Sequence, residues 1–167
     1  MKAKTSCGNI SSREILLQIE ASKKESVAIA QFERGNPGIV VKRSGLVVDE
    51  EYPFLGALPD GLIGDDQIIE VKCPSSAISM TPLDALAKVK IKYLEMKDGM
   101  PQLKLSHNYM YQVQGVLQIS RRKTCNFVVW PLEGMVSLKI QRDKDFWENK
   151  MVTKLLTLLR FPFTRNY

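Results

Sequence analysis

The stretch Leu55-Gly56-Ala57-Leu58-Pro59-Asp60-Gly61-Leu62-Ile63, followed after four intervening residues by Ile68-Ile69-Glu70-Val71-Lys72-Cys73-Pro74, decides how this chain is read. If Gln67–Lys72 is a strand, its side chains alternate between faces. Glu70 and Lys72 then point one way, and Ile69 and Val71 the other. A buried sheet rarely accepts a lone Glu and Lys among Ile and Val. Burying such charges costs several kcal/mol each unless they are paired or bind a metal. Asp60 ends the preceding strand, and a hairpin through Ile63–Asp66 brings it back beside Glu70. Two carboxylates can chelate one divalent cation there, with an ammonium at hand and the Val71 carbonyl as a further ligand. Such a site suits phosphodiester hydrolysis. The metal polarises the phosphoryl oxygen and acidifies a water, and Lys72 positions that water and offsets developing charge. Taken singly, the pieces are ordinary: Asp60-Gly61 is a hairpin turn, and Glu70-x-Lys72 is a solvent-facing strand pair.

Composition narrows the choice. The 167 residues are 44% hydrophobic and 25% charged, as in soluble globular chains. No apolar run is long enough to cross a membrane, and Met1–Ile10 has no signal-peptide layout. The three cysteines, Cys7, Cys73 and Cys125, form no CxxC, and there is one histidine. This argues against a disulfide framework or a zinc site. It places the protein inside a cell, in the cytoplasm or, in a eukaryote, the nucleus. Any metal is then held by carboxylates, which selects Mg²⁺ or Mn²⁺. The net charge of +6 suits a polyanionic partner such as nucleic acid.

The pattern along the chain reads as one domain, 1–167, with 1–10 flexible. A helix spans Ser12–Arg34, capped by Ser11 or Ser12 and ended at Gly35. Short β runs follow at Ile39–Lys42, Leu46–Asp49, Leu55–Leu58 and Gln67–Lys72, suggesting an antiparallel meander. Thr81-Pro82 opens a second helix, read as continuing through Tyr93 and made basic by Lys88, Lys90, Lys92 and Lys97. Lys97–Leu105 reads as a loop, and Ser106 as the cap of a third helix from about His107 to Ile119. Cys125–Trp130 and Met135–Gln141 form a hairpin. Asp143 caps a last helix reaching Arg160, with Phe146, Met151, Leu155, Leu158 and Leu159 apolar. This order gives a mixed α+β class with a central sheet flanked by helices.

Pro59-Asp60, nine residues, then Glu70-Val71-Lys72 resembles the PD-(D/E)xK nuclease signature. The fuller strings around Gly56–Gly61 and Ile69–Pro74 resemble the lambda-exonuclease, or YqaJ-type viral recombinase, branch. Leu58 stands where that branch commonly has Ser. Lys24–Glu33 is similar to its first helix and Asn108–Gln114 to the helix carrying its catalytic Gln. The resemblance runs over roughly Lys24 to Trp147. It implies a restriction-endonuclease-like core, Mg²⁺-dependent cleavage at duplex DNA ends, and Glu25 as a helix-borne acid near the metal. It also implies Gln112 orienting the attacking water, with Gln114 about 200° away around the helix. A trimeric ring and a single-strand annealing partner follow from the same branch. The branch's N-terminal segment, with its basic residue and Ser/Thr-Ala motif, has no clear match before Ser22; Arg13 is wrongly spaced. A shortened copy or a fragment is therefore expected, with processive 5′-to-3′ digestion and the trimer in question.

Arg121-Arg122-Lys123 reads either as a phosphate contact or as a solvated turn, and the basic stretch Lys88–Lys97 has the same two readings. Cys73 is expected to be buried and inert, His107 to be a cap neighbour or surface residue, and Trp130 and Trp147 to be core. Two rivals to the exonuclease stand: an inactive nuclease-like module that only binds nucleic acid or protein, and an endonuclease built on the same core.

Overall fold

The computed structural model describes residues 12–160 apart from 78 and 89, with side chains for 19–157 outside those two positions. The expectations for Ser11, Arg13, Leu158, Leu159 and the flexible 1–10 segment fall outside what is described.

Helix α1 (Ser12–Gly35) leads into strands β1 (Val41–Lys42), β2 (Val47–Val48), β3 (Gly56–Ala57), β4 (Gly61–Ile63) and β5 (Gln67–Lys72). Helix α2 (Pro82–Ala87), strands β6 (Leu94–Lys97) and β7 (Met100–Leu103), and helix α3 (Asn108–Ile119) follow. Strands β8 (Thr124–Val129) and β9 (Val136–Gln141) precede a last helix built of α4 (Lys144–Phe146), a π-helical turn Trp147–Val152 and α5 (Thr153–Arg160). Five strands form the main sheet, in the order β1-β4-β5-β8-β9. All neighbours are antiparallel except β5 and β8, which run parallel. The mixed sheet between helices is the expected class.

Strand β5 carries the architecture. Ile69 and Val71 face one core with Ala28 and Phe32 of α1 and with Val128 and Trp130. Ile68 faces a second core with Val113 and Leu117 of α3 and with Phe127. Helices therefore cover both faces, and the strand's near-continuous apolar run reflects burial on both sides. Polar bonds pin α1 down: Trp130 Nε1 donates to Gln31 Oε1 at 2.7 Å, and the Val41 amide donates to Glu33 Oε1 at 2.7 Å.

Four expectations change. The meander gives way to two units, because β2 pairs only with β3 and β1 skips them to pair with β4. Gly61–Ile63 is itself a strand, so Asp60 precedes a strand rather than ending one. The basic helix stops at Ala87, and Leu94–Lys97 pairs with Met100–Leu103 instead. The reason lies in Asp98-Gly99, where both residues have positive φ (52° and 76°) and so make a two-residue hairpin turn between residues read as helix and loop. Finally His107, not Ser106, caps α3: its Nδ1 accepts from the Tyr109 amide at 3.2 Å.

Candidate active site

The β4–β5 register sets the site. Gly61 pairs with Ile69, which puts Asp60 opposite Glu70 at the end of the ladder. The Val71 amide donates to Asp60 Oδ2 at 2.7 Å, locking that carboxylate to the strand edge. Gly61 permits this approach: a Cβ there would run into Val41 Cγ1 and come within 3.0 Å of Ile69 Cγ2. Glu70 is 1% exposed. Its Oε2 accepts from Lys72 Nζ at 3.4 Å and from Gln112 Nε2 at 3.1 Å. Its Oε1 is buried with no hydrogen-bond partner. Lys72 Nζ also sits 4.9 Å from the centre of the Tyr109 ring.

The electrostatics match a site short of positive charge. Burial, then Asp60, push the Glu70 carboxyl up to about 7, against the opposing pull of Lys72. Burial also raises Asp60, opposed by the Val71 amide and Lys72. Glu25 is raised by burial and by Asp60. A hard divalent cation would relieve all three. The orphaned Glu70 Oε1 beside a second carboxylate is the donor set such an ion requires, so the residues fit Mg²⁺ or Mn²⁺. Among the described residues, no three His, Cys, Asp or Glu side chains cluster closely enough to form a complete ligand set by themselves.

The YqaJ-like viral recombinase domain family matches residues 22–123. The chain belongs to that family. Its fold is similar to the alkaline exonuclease LHK-Exo of Laribacter hongkongensis, with a TM-score of 0.59 and 23% identity over 83% of this chain and 66% of that one. The same exonuclease in complex with dAMP gives 0.60 and 24% over the same shares. The chain thus spans 66% of the length of those structures. No curated protein matches it.

Other candidates of this YqaJ-family chain fall into place by position. Glu25 on α1 is half-buried and close enough to Asp60, Lys72 and Glu70 to influence and feel their charges. Gln114 points elsewhere, as helix geometry requires. Its Nε2 donates to the Gln141 carbonyl at 2.9 Å, and its Oε1 accepts from the Asp143 amide at 2.8 Å. It ties α3 to β9 and the last helix. Arg122 donates to the carbonyls of Gly64 and Gln67 at 2.7 and 2.8 Å, and Lys123 pairs with Asp66 at 2.9 Å. These bonds and the exposed Arg121 lie at the start of β5, about 17 Å along the strand from Lys72 at 3.3 Å per residue. Cys73 is half-buried rather than buried, and burial lifts its thiol to about 11, which leaves it protonated. Trp130 and Trp147 are core.

Sequence reasoning did not single out Tyr109, whose ring lies under Lys72, nor the grouping of Lys24, Lys90 and Lys92 along one cleft beside it. The signal for Tyr109 was its place three residues before Gln112, one helical turn away and on the same face.

Proposed function

We propose that this chain is a metal-dependent DNA exonuclease of the recombination type that hydrolyses phosphodiester bonds at duplex ends. The observation that carries the reading is Glu70: a carboxylate buried in a sheet core, one oxygen bonded to Lys72 and Gln112, the other unpartnered beside Asp60. Such a group is costly to the fold, which its use in catalysis would account for. Family membership and the exonuclease fold support the same reading.

In this reading Asp60 and Glu70 hold Mg²⁺, or Mn²⁺, with the Val71 carbonyl as a further ligand and Glu25 as an outer acid. When bound, the cation polarises the phosphoryl oxygen and makes a water acidic enough to attack. The Val71 amide holds Asp60 in place, and Gln112 holds both Glu70 and the attacking water. Lys72 brings a fixed positive charge to the negative charge developing on the phosphate. The Tyr109 ring and the Glu70 carboxylate restrain the ammonium.

The test is a divalent-metal titration with linear and covalently closed duplex DNA. Mg²⁺-dependent loss of nucleotides from the linear form alone supports the exonuclease. Cutting of the closed circle would replace it with an endonuclease. Salt-sensitive binding without cleavage at any metal concentration would make the chain a binding module.

A further inference from the structure

A cleft of about 520 Å³ opens directly beside Lys72, in the size range of ligand sites. Lys24 of α1, Lys72, Lys90, Lys92 and Tyr93 line it. Glu20 and Glu25 are the acidic groups on its wall, both on α1. Among the described residues, neither Lys24, Lys90 nor Lys92 is in an ion pair.

The segment carrying two of these lysines is built rather than loose. Ile91 is 1% exposed and anchors it in the core, so its neighbours Lys90 and Lys92 are turned outward. Ser76 Oγ donates to the Lys90 carbonyl at 3.1 Å, and Lys104 Nζ donates to the Lys92 carbonyl at 2.8 Å. The Lys90 amide donates to the Ala85 carbonyl at 2.8 Å. Tyr93, next along the chain, is 9% exposed, and its hydroxyl is buried without a partner. Burial pushes that hydroxyl far up, so it is a neutral donor. A buried hydroxyl without a partner, beside exposed ammonium groups that pair with no carboxylate among the described residues, is an arrangement suited to a phosphate ester.

We infer that this cleft is a nucleotide subsite: it holds one nucleotide of the DNA strand next to the bond being cut. Lys90 and Lys92 pair with its phosphates, and Tyr93 donates to one of its oxygens. The ligand's identity rests on the DNA-cutting reading, whereas the existence of the subsite does not.

The experiment measures binding of a labelled single-stranded oligodeoxynucleotide in EDTA, over a range of salt. The doubly substituted Lys90→Ala, Lys92→Ala protein should bind about tenfold or more weakly. The slope of log affinity against log salt should flatten by roughly 1.4 to 1.8, as expected for two lost phosphate contacts. Tyr93→Phe should bind a few-fold more weakly with the slope unchanged and with Tm unchanged or higher, because it deletes a buried unpaired hydroxyl. Lys139→Ala, on the exposed side of β9, should bind as the unaltered chain does. A deoxynucleoside monophosphate should displace the oligonucleotide at lower concentration than inorganic phosphate does. Unchanged affinity and slope in the double variant overturn the subsite, and equal displacement by phosphate overturns its nucleotide character. A protein that binds through Lys90 and Lys92 but cuts nothing keeps the subsite while the nuclease reading fails. A protein that cuts DNA with unchanged KM in the double variant does the reverse.

Discussion

Gln112 on α3 donates its side-chain amide to Glu70 on β5 at 3.1 Å, a bond spanning 42 positions of the chain. It joins a helix to the middle of the sheet through a carboxylate that is 1% exposed. The catalytic reading makes this bond a positioning device.

Lys72→Ala should abolish cleavage, by at least about 10²- to 10³-fold in kcat, because the positive charge at the phosphate is gone. Gln112→Ala should lower kcat with little change in KM, since it acts on the reacting groups rather than on DNA affinity. Both should keep the circular dichroism of the unaltered protein. Digestion of linear DNA by Lys72→Ala at the unaltered rate refutes the assignment.

The raised carboxyl of Glu70 makes the metal-free fold sensitive to pH. Its folded value of about 7 lies above the ordinary 4.5, so the folded chain binds more protons than the unfolded one between those values. The stability it contributes is full below about 4.5 and is lost as pH rises through about 7. Asp60 and Glu25 are raised too and act in the same direction. The loss is on the order of 3 kcal/mol, or roughly 5–10 °C in Tm. Metal-free melting should therefore fall from pH 5.5 to pH 8, and Mg²⁺ should restore more at pH 8 than at pH 5.5. Glu70→Gln should flatten both responses. A metal-free Tm that rises over this interval sinks the account.

Gly61→Ala tests whether strand spacing sets the carboxylate pair. The added methyl overlaps the Val41 side chain of β1 and presses on Ile69 of β5, so β4 and its two neighbours must give way. The expected destabilisation is about 1–3 kcal/mol. Because Asp60 is the next residue, Mg²⁺ affinity read by calorimetry should weaken as well. A variant that loses stability yet binds Mg²⁺ unchanged would separate the two effects and refute the link.

Tyr109→Phe and Tyr109→Leu separate the ring from its hydroxyl. The ammonium of Lys72 lies over the ring face, an attraction of about 0.5–1 kcal/mol. Phe should keep most activity, whereas Leu should lower kcat several-fold. Equal activity of the two would show that the ring does not restrain Lys72.

Much of this protein could be read from local pattern. The two-residue alternation of Gln67–Lys72 fixed which side chains share a face, and the structure gives that strand the same bounds. Strands β8 and β9 and the Asp143 cap were legible for the same reason: their signals lie within a few residues. Where two local signals competed, the pattern misled. The spacing of Leu83, Leu86, Lys90 and Tyr93 after Thr81-Pro82 suggested one long helix, and the Asp98-Gly99 turn overrode it because a hairpin needs positive φ there.

The chemistry-bearing residue types at Asp60, Glu70, Lys72 and Gln112 were determined by sequence alone. Which of them meet was decided by tertiary structure. A sheet register set Asp60 opposite Glu70, and helix packing lowered Gln112 onto the same carboxylate. The same packing gathered Lys24, Lys90 and Lys92 along one cleft while tying Arg122 and Lys123 into a turn at the other end of β5. Charge and alternation are local properties of a chain, but proximity between distant segments exists only once the apolar faces of β5, α1 and α3 have been buried against one another.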